Sequence, residues 1–468
     1  MTKIIHLTDN LQNPRHVEGS ETVADILRIA NIGQLKNRPD LLVFPHSFSE
    51  SDGNIHDLTI VNARNARLSD SGRYSSVDIT TGNLMGFVGV NSTSLSIHSR
   101  FTRNGKGSNG KDCHQDYFLY YMLHKVLSVN ILSLDHASNR DDKMLDFLLF
   151  LFPSMLKSAM SQGLYKEYTT QQHDDARVRG VVDVNRVIRN DIPFQGRISY
   201  STRQHGYDNS VTQLIRHTIE YIRQHPLGAS ILANDRETRE CVSQIIGSTS
   251  SYNRRDREKI LMLNLRPKVH PYFLKYKELQ QLCVHILRHE SLKYGQEENK
   301  VHGILFDGAW LWEEYLYTIL KELNFKHPMN KESKGGLRMF ERASDEDHFD
   351  NNSRRIYPDF YRDGYIIDAK YKRLSGNVGR EDLYQVISYM YCMDAPLGGY
   401  VYPDDGHNSP KRYKLSGKGS QYPGNEGGII SVIPFKVPGH AADWTTFVAA
   451  INDSEKNLAQ SIQPIKAL

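Results

Sequence analysis

Asp359, Asp368 and Lys370 have the types and spacing that phosphodiester hydrolysis needs. They lie in the stretch Ile356-Tyr357-Pro358-Asp359-Phe360-Tyr361-Arg362-Asp363-Gly364-Tyr365-Ile366-Ile367-Asp368-Ala369-Lys370-Tyr371-Lys372. Arg362-Asp363-Gly364 is turn chemistry between two β-prone runs, which predicts an antiparallel hairpin. Period-two alternation puts Ile366, Asp368, Lys370 and Lys372 on one face, with Tyr365, Ile367, Ala369 and Tyr371 on the other. Same-face neighbours stand about 6.5 to 7 Å apart, close enough for one metal ion and its water to touch both. Asp359 reaches the same point from across the hairpin. Two carboxylates and the Ala369 carbonyl are hard oxygen donors that suit Mg²⁺, with Mn²⁺ as a substitute. Such an ion offsets charge developing on a phosphodiester, and Lys370 can orient or help deprotonate the attacking water.

An acidic residue followed closely by lysine is a cheap pattern. It recurs at Asp142-Lys143, Glu298-Asn299-Lys300 and Glu332-Ser333-Lys334, but none of these is preceded at short range by Pro-Asp on a partner strand. The other Pro-Asp pairs, Pro39-Asp40 and Pro403-Asp404, lack a nearby acidic-x-Lys strand and read as turns. Two helices are predicted beside the hairpin. Upstream, Asp307-Gly308 starts one whose Trp312, Tyr315, Leu316, Ile319 and Leu320 pack inward, with Glu313 beside that stripe. Downstream, Asp382 to Met390 is helical, with Gln385 and Tyr389 four apart on one face.

The rest of the chain must hold these elements. At 468 residues it is expected to contain two or three folded units. With 39% hydrophobic and 24% charged residues it reads as globular, and disordered and fibrous classes fall away. Lys+Arg 58 against Asp+Glu 54 gives +4, too balanced for a uniformly basic nucleic-acid coat. Four scattered cysteines make neither a zinc ribbon nor a disulfide framework, and the first residues lack a secretion signal, so a reducing cytoplasm is expected. No stretch reads as a membrane span. Short apolar runs from Leu41 to Phe101 indicate a β-rich part, 1–110, and the Asn104 to Asp112 tract reads as an exposed linker. Residues 111–300 read as mainly helical, with Val211, Leu214, Ile215, Ile219 and Ile222 as one apolar stripe and Val178 to Ile188 as a strand. Residues 301–468 alternate helix and strand, including Ile356 to Tyr361 and Tyr365 to Lys372. The fold class is α/β (α+β overall), the C-terminal part being a mixed sheet flanked by helices.

Pro358-Asp359, Asp368-Ala369-Lys370 and Gln385-x-x-x-Tyr389, in that order, resemble the PD-(D/E)xK nuclease superfamily in its RecB-like form. Leu311-Trp312-Glu313-Glu314-Tyr315, Leu383-Tyr384-Gln385 and Gly398-Gly399-Tyr400-Val401-Tyr402-Pro403 extend the resemblance to the McrC/LlaJI-type nuclease subunits of McrBC restriction systems. It covers about residues 113 to 435 and is strongest after 300. The resemblance implies Asp359 and Asp368 as metal ligands, Lys370 as the catalytic lysine, and Glu313, Gln385 and Tyr389 as supporting site residues. It also implies a DNA endonuclease, used against modified or foreign DNA, that docks on a hexameric McrB-type AAA+ GTPase through its middle part and stimulates it. The rival expectations are a non-catalytic adaptor that activates the NTPase, and a stand-alone RecB-like nuclease.

Three weaker signals are discounted. Gly105 to Lys111 fits GxxxxGK, but Asp112 stands where a hydroxyl should bind Mg²⁺. His285 and His289, near Cys283, lack the glutamate of HExxH and read as a solvated helix face. Arg254 to Lys259 mixes charge signs and reads as a helix start.

Overall fold

The structure is a computed structural model that describes residues 3–31, 41–45, 59–70, 72–106, 112–127, 142–226, 228–233, 235–293, 301–328, 336–340, 355–372, 378–416, 428–439, 441 and 443–462. It is an α/β protein with several separate sheets. Its contacts form two compact units rather than three consecutive ones: Met1–Ser128 joined with Glu297–Leu468, and Val129–Gln296. Among the described residues no helix is long and apolar enough to cross a membrane. The GxxxxGK tract lies largely outside the described residues.

The first unit contains two five-stranded sheets. One has the order Lys3–Thr8, Thr93–His98, Leu84–Val90, His302–Asp307, Leu41–Phe44. His302–Asp307 therefore lies between two strands from the first hundred residues, antiparallel to Leu84–Val90 and parallel to Leu41–Phe44. Close approach permits this pairing, because a Cβ at Gly86 (φ 131°) would stand 2.2 Å from the carbonyl oxygen of Ile304. Helix Ser20–Ala30, which the sequence reading did not foresee, buries Val23, Ile26 and Ile29 in the core that includes Val77, Ile79, Val88 and Leu305.

The second sheet has the order Phe360–Arg362, Tyr365–Ala369, Leu397–Asp404, Ile429–Lys436, Lys411–Lys414. Its first pair is the expected hairpin, with Arg362 opposite Tyr365 and Gly364 at φ 70° in the turn. The next two pairings are parallel. Two expectations need correction. The run Ile356 to Tyr361 is not one strand: Arg355–Ile356 pairs with Leu337–Arg338, and a new strand starts at Phe360. Pro358 lies between them, and its ring removes the N–H that a continuous ladder would use. The partner strand ends at Ala369, so Lys370 and Lys372 lie beyond it. Helix Arg380–Cys392 covers one sheet face through Val386 and Met390 against Ile366, Tyr400 and Ile430. Helix Gly308–Leu320 covers the other, with the Trp312 indole N–H donating to the Val401 carbonyl (3.4 Å) and packing on Phe435.

In the second unit the predicted stripe of helix Ser210–Gln224 is fully buried, and Asn209 caps the helix with a reciprocal capping box. The expected strand Val178 to Ile188 is reduced to Val181–Val182 and gives way to helix Val184–Asn190. Asp183 decides this, because its carboxylate accepts the Arg186 N–H (3.2 Å) as an N-cap.

Candidate active site

The hairpin register sets Phe360 opposite Ile367, which places Asp359 across from Asp368 at the ends of their strands. The Ala369 N–H donates to Asp359 Oδ2 at 2.8 Å, tying the first acid to the strand that carries the second. Asp368 is 1% exposed. Its Oδ2 lies 2.7 Å from the Lys370 ammonium and, among the described residues, meets no other donor. That ammonium also lies 3.4 Å from Asp382 Oδ1 and donates to Gln385 Oε1 at 3.3 Å. Gln385 in turn donates to the Tyr389 hydroxyl at 2.8 Å. One helical face thus holds Asp382, Gln385 and Tyr389 toward the lysine.

Glu313 approaches from the opposite helix and is 9% exposed. Between it and the hairpin lies His327, whose Nδ1 is 2.8 Å from the Asp359 carbonyl oxygen. Its Nε2 is 3.7 Å from Glu313 and 3.5 Å from Glu314. Burial opposes a charge on this imidazole, but Glu314, the Asp359 carbonyl and Glu313 outweigh it and raise its pKa.

The acids carry an electrostatic burden. Removal from water and then the nearby Glu313 push the Asp359 carboxyl up to about 7. Burial and then Asp359 push Asp368 up to about 8, against the pull of Lys370. Asp382 behaves oppositely: burial raises it, yet Lys372 and Lys370 outweigh burial and hold it below the usual carboxylate range. Lys370 is raised, its loss of water being outweighed by Asp368 and Asp382.

The donor set can be tested against a divalent cation. Among the described residues no three His, Cys, Asp or Glu side chains stand together as a ready metal cluster. Asp359 and Asp368 remain, with the Ala369 carbonyl that the sequence reading added. Two mutually repelling carboxylates, one with a buried oxygen facing an ammonium, are relieved by a cation among them. All the donors are hard oxygens, which suits Mg²⁺ or Mn²⁺ better than a soft metal. The residues fit the ion.

Every sequence-derived site residue therefore lies in one neighbourhood: Asp359, Asp368, Ala369 and Lys370 on the hairpin, Glu313 on one helix, Gln385 and Tyr389 on the other. Two neighbours were missed. Asp382 lies one helical turn before Gln385, a spacing legible in the sequence. His327 is brought in by a bridge between Lys326 and Tyr361, which no local pattern announces.

A family model described as the McrBC 5-methylcytosine restriction system component matches residues 79–403. No curated protein matches the sequence. Among solved structures, the refined half-complex from the tetradecameric assembly of Thermococcus gammatolerans McrB AAA+ hexamers with bound McrC contains a similar chain. It is 13% identical with a TM-score of 0.50, over 98% of this chain and 100% of that one. A chain in the cryo-EM structure of the Thermococcus gammatolerans McrBC complex is 12% identical with a TM-score of 0.32, over 69% of this chain and 89% of that one.

Proposed function

The chain belongs to the family of McrBC 5-methylcytosine restriction system components, and from that premise we propose that it is the Mg²⁺-dependent DNA endonuclease subunit of such a system. A separate AAA+ GTPase ring would bring it to modified or foreign DNA, and the chain would stimulate that ring. The observation that carries the reading is the convergence of Asp359, Asp368 and Lys370 at the end of one hairpin. The McrB hexamers with bound McrC in the similar solved structure support the partner assignment.

Asp359, Asp368 and the Ala369 carbonyl would hold the ion, with Glu313 adding negative charge behind them. When bound, the ion supplies Lewis acidity toward the phosphodiester and lowers the pKa of a water molecule. Lys370 positions that water and offsets charge on the phosphate oxygens. Gln385 and Tyr389 fix the lysine's direction through one hydrogen-bonded chain. The Ala369 N–H keeps the Asp359 carboxylate turned toward the second strand. A decayed adaptor site would have no need to keep both acids, the lysine and its glutamine-tyrosine support.

The test is cleavage of methylated circular DNA by the chain with its partner ring, GTP and Mg²⁺. Asp368→Ala should abolish cleavage while GTP hydrolysis by the complex stays stimulated. Undiminished cleavage by that variant overturns the site assignment. Cleavage by the wild type that persists undiminished without the ring and GTP would point to the stand-alone nuclease.

A further inference from the structure

Lys370 and the proposed metal compete for one oxygen. The ammonium lies 2.7 Å from Asp368 Oδ2, the buried atom a divalent cation needs. Each cation weakens the other's hold on that oxygen, so the ion enters more readily if the lysine is received elsewhere. Asp382 Oδ1 at 3.4 Å and Gln385 Oε1 at 3.3 Å already stand beside the ammonium.

We infer that Asp382 is a positioning residue that takes the Lys370 ammonium from Asp368 and so clears Asp368 for the metal. Three observations equip it for this. Its side chain is 16% exposed, so an ion pair there is partly shielded from water. Its backbone is fixed, because the buried Tyr400 hydroxyl donates to the Asp382 carbonyl at 2.5 Å. Its second oxygen, Oδ2, is already paired with Lys372, which leaves Oδ1 turned to Lys370. Gln385 is neutral and can orient the lysine, but a carboxylate is needed to compete with a carboxylate. The aspartate therefore sets how readily the site opens, and Lys370 stays within reach of the reacting phosphate after the exchange.

This inference rests on the metal-site reading proposed above, and its test separates the two. Mn²⁺ binding to the full chain, without DNA or partner, is measured by calorimetry or by paramagnetic resonance. Asp382→Asn should weaken Mn²⁺ binding about tenfold, and Asp382→Glu should restore most of it. In a Lys370→Ala background the same Asp382→Asn change should have no effect on Mn²⁺ affinity, since there is no ammonium left to receive. Persistence of the loss in that background overturns the inference, because Asp382 would then act on the ion directly. Equal affinities of wild type and Asp382→Asn, with binding lost in Asp368→Asn, overturn this inference alone. Wild-type affinity in Asp368→Asn overturns the metal site and the inference with it.

Discussion

Replacing Asp368 by Asn should stabilise the metal-free protein, although it removes the acid that meets the Lys370 ammonium. Burial and the neighbouring Asp359 raise the Asp368 carboxyl from 3.8 to about 8. The folded chain therefore holds a proton between about pH 4 and 8 that the unfolded chain releases, and stability falls as pH rises through that window. At pH 7, holding that proton costs on the order of 2 kcal/mol, a burden Asp368 shares with Asp359. Asn is nearly isosteric with the protonated acid and carries no such cost. Lys370 keeps Asp382 and Gln385 as partners. Melting curves in EDTA should show the variant's Tm about 4 to 8 °C above wild type at pH 7, with the gap closing toward pH 4. Mg²⁺ should then raise the wild-type Tm and leave the variant unchanged. A variant that melts at or below wild type at pH 8 without metal would refute the crowding of these acids.

Three other substitutions probe the frame. Gly86→Ala should prevent the first unit from folding in soluble form, because the Cβ meets the Ile304 carbonyl oxygen at 2.2 Å and the backbone is at φ 131°; solubility and circular dichroism report it. Glu455→Ala should lower stability by about 2 to 3 kcal/mol in denaturant melts. The reason is that it strands the buried Tyr315 hydroxyl (2.8 Å), unpairs the Lys125 ammonium (3.2 Å) and leaves the Tyr121 hydroxyl with Asn452 in place of Glu455. Asn209→Ala should cost the second unit about 1 to 2 kcal/mol through loss of its capping box, seen in amide exchange within Ser210–Gln224.

The hairpin was legible because its signals are local. Asp363-Gly364 fixes the turn, alternation fixes the faces, and no distant contact is needed to bring Asp359 to Asp368. The flanking helices were legible for the same reason, since Asp307 caps one and apolar spacing marks both. Where a second local signal competed, the reading failed. Pro358 broke a strand that β-propensity alone would extend, and the Asp183 cap turned a valine-rich run into helix. His327 and the placement of His302–Asp307 depend on pairings between segments remote in sequence, which period and propensity do not encode. The equal weight of acid-lysine pairs elsewhere in the chain shows why the Pro-Asp partner strand, not the motif alone, singled out the site.

Strand His302–Asp307 makes the first hundred residues part of the frame that holds the candidate site rather than an appendage. It leads directly into helix Gly308–Leu320, which bears Glu313, so any displacement of the strand moves that carboxylate. Both of its hydrogen-bonded neighbours come from residues 41–90. A second tie runs from the residue after Lys370: the Tyr371 ring lies under the Arg100 guanidinium at 4.6 Å, and Arg100 is paired with buried Asp9 at 2.6 Å. A fragment of residues 301–468 would therefore expose Ile304, Leu305 and Phe306, each at most 1% exposed in the intact chain. At about 1.5 to 3 kcal/mol for each side chain, the loss is about 5 kcal/mol or more, comparable to the whole net stability of a domain. Two rows of strand hydrogen bonds are lost as well. The fragment should give no cooperative melt and no Mn²⁺ binding, whereas adding residues 1–128 as a separate chain should restore both. A cooperative transition from 301–468 alone would mean that the site-bearing sheet folds without the N-terminal one, and the coupling argued from this strand would be wrong.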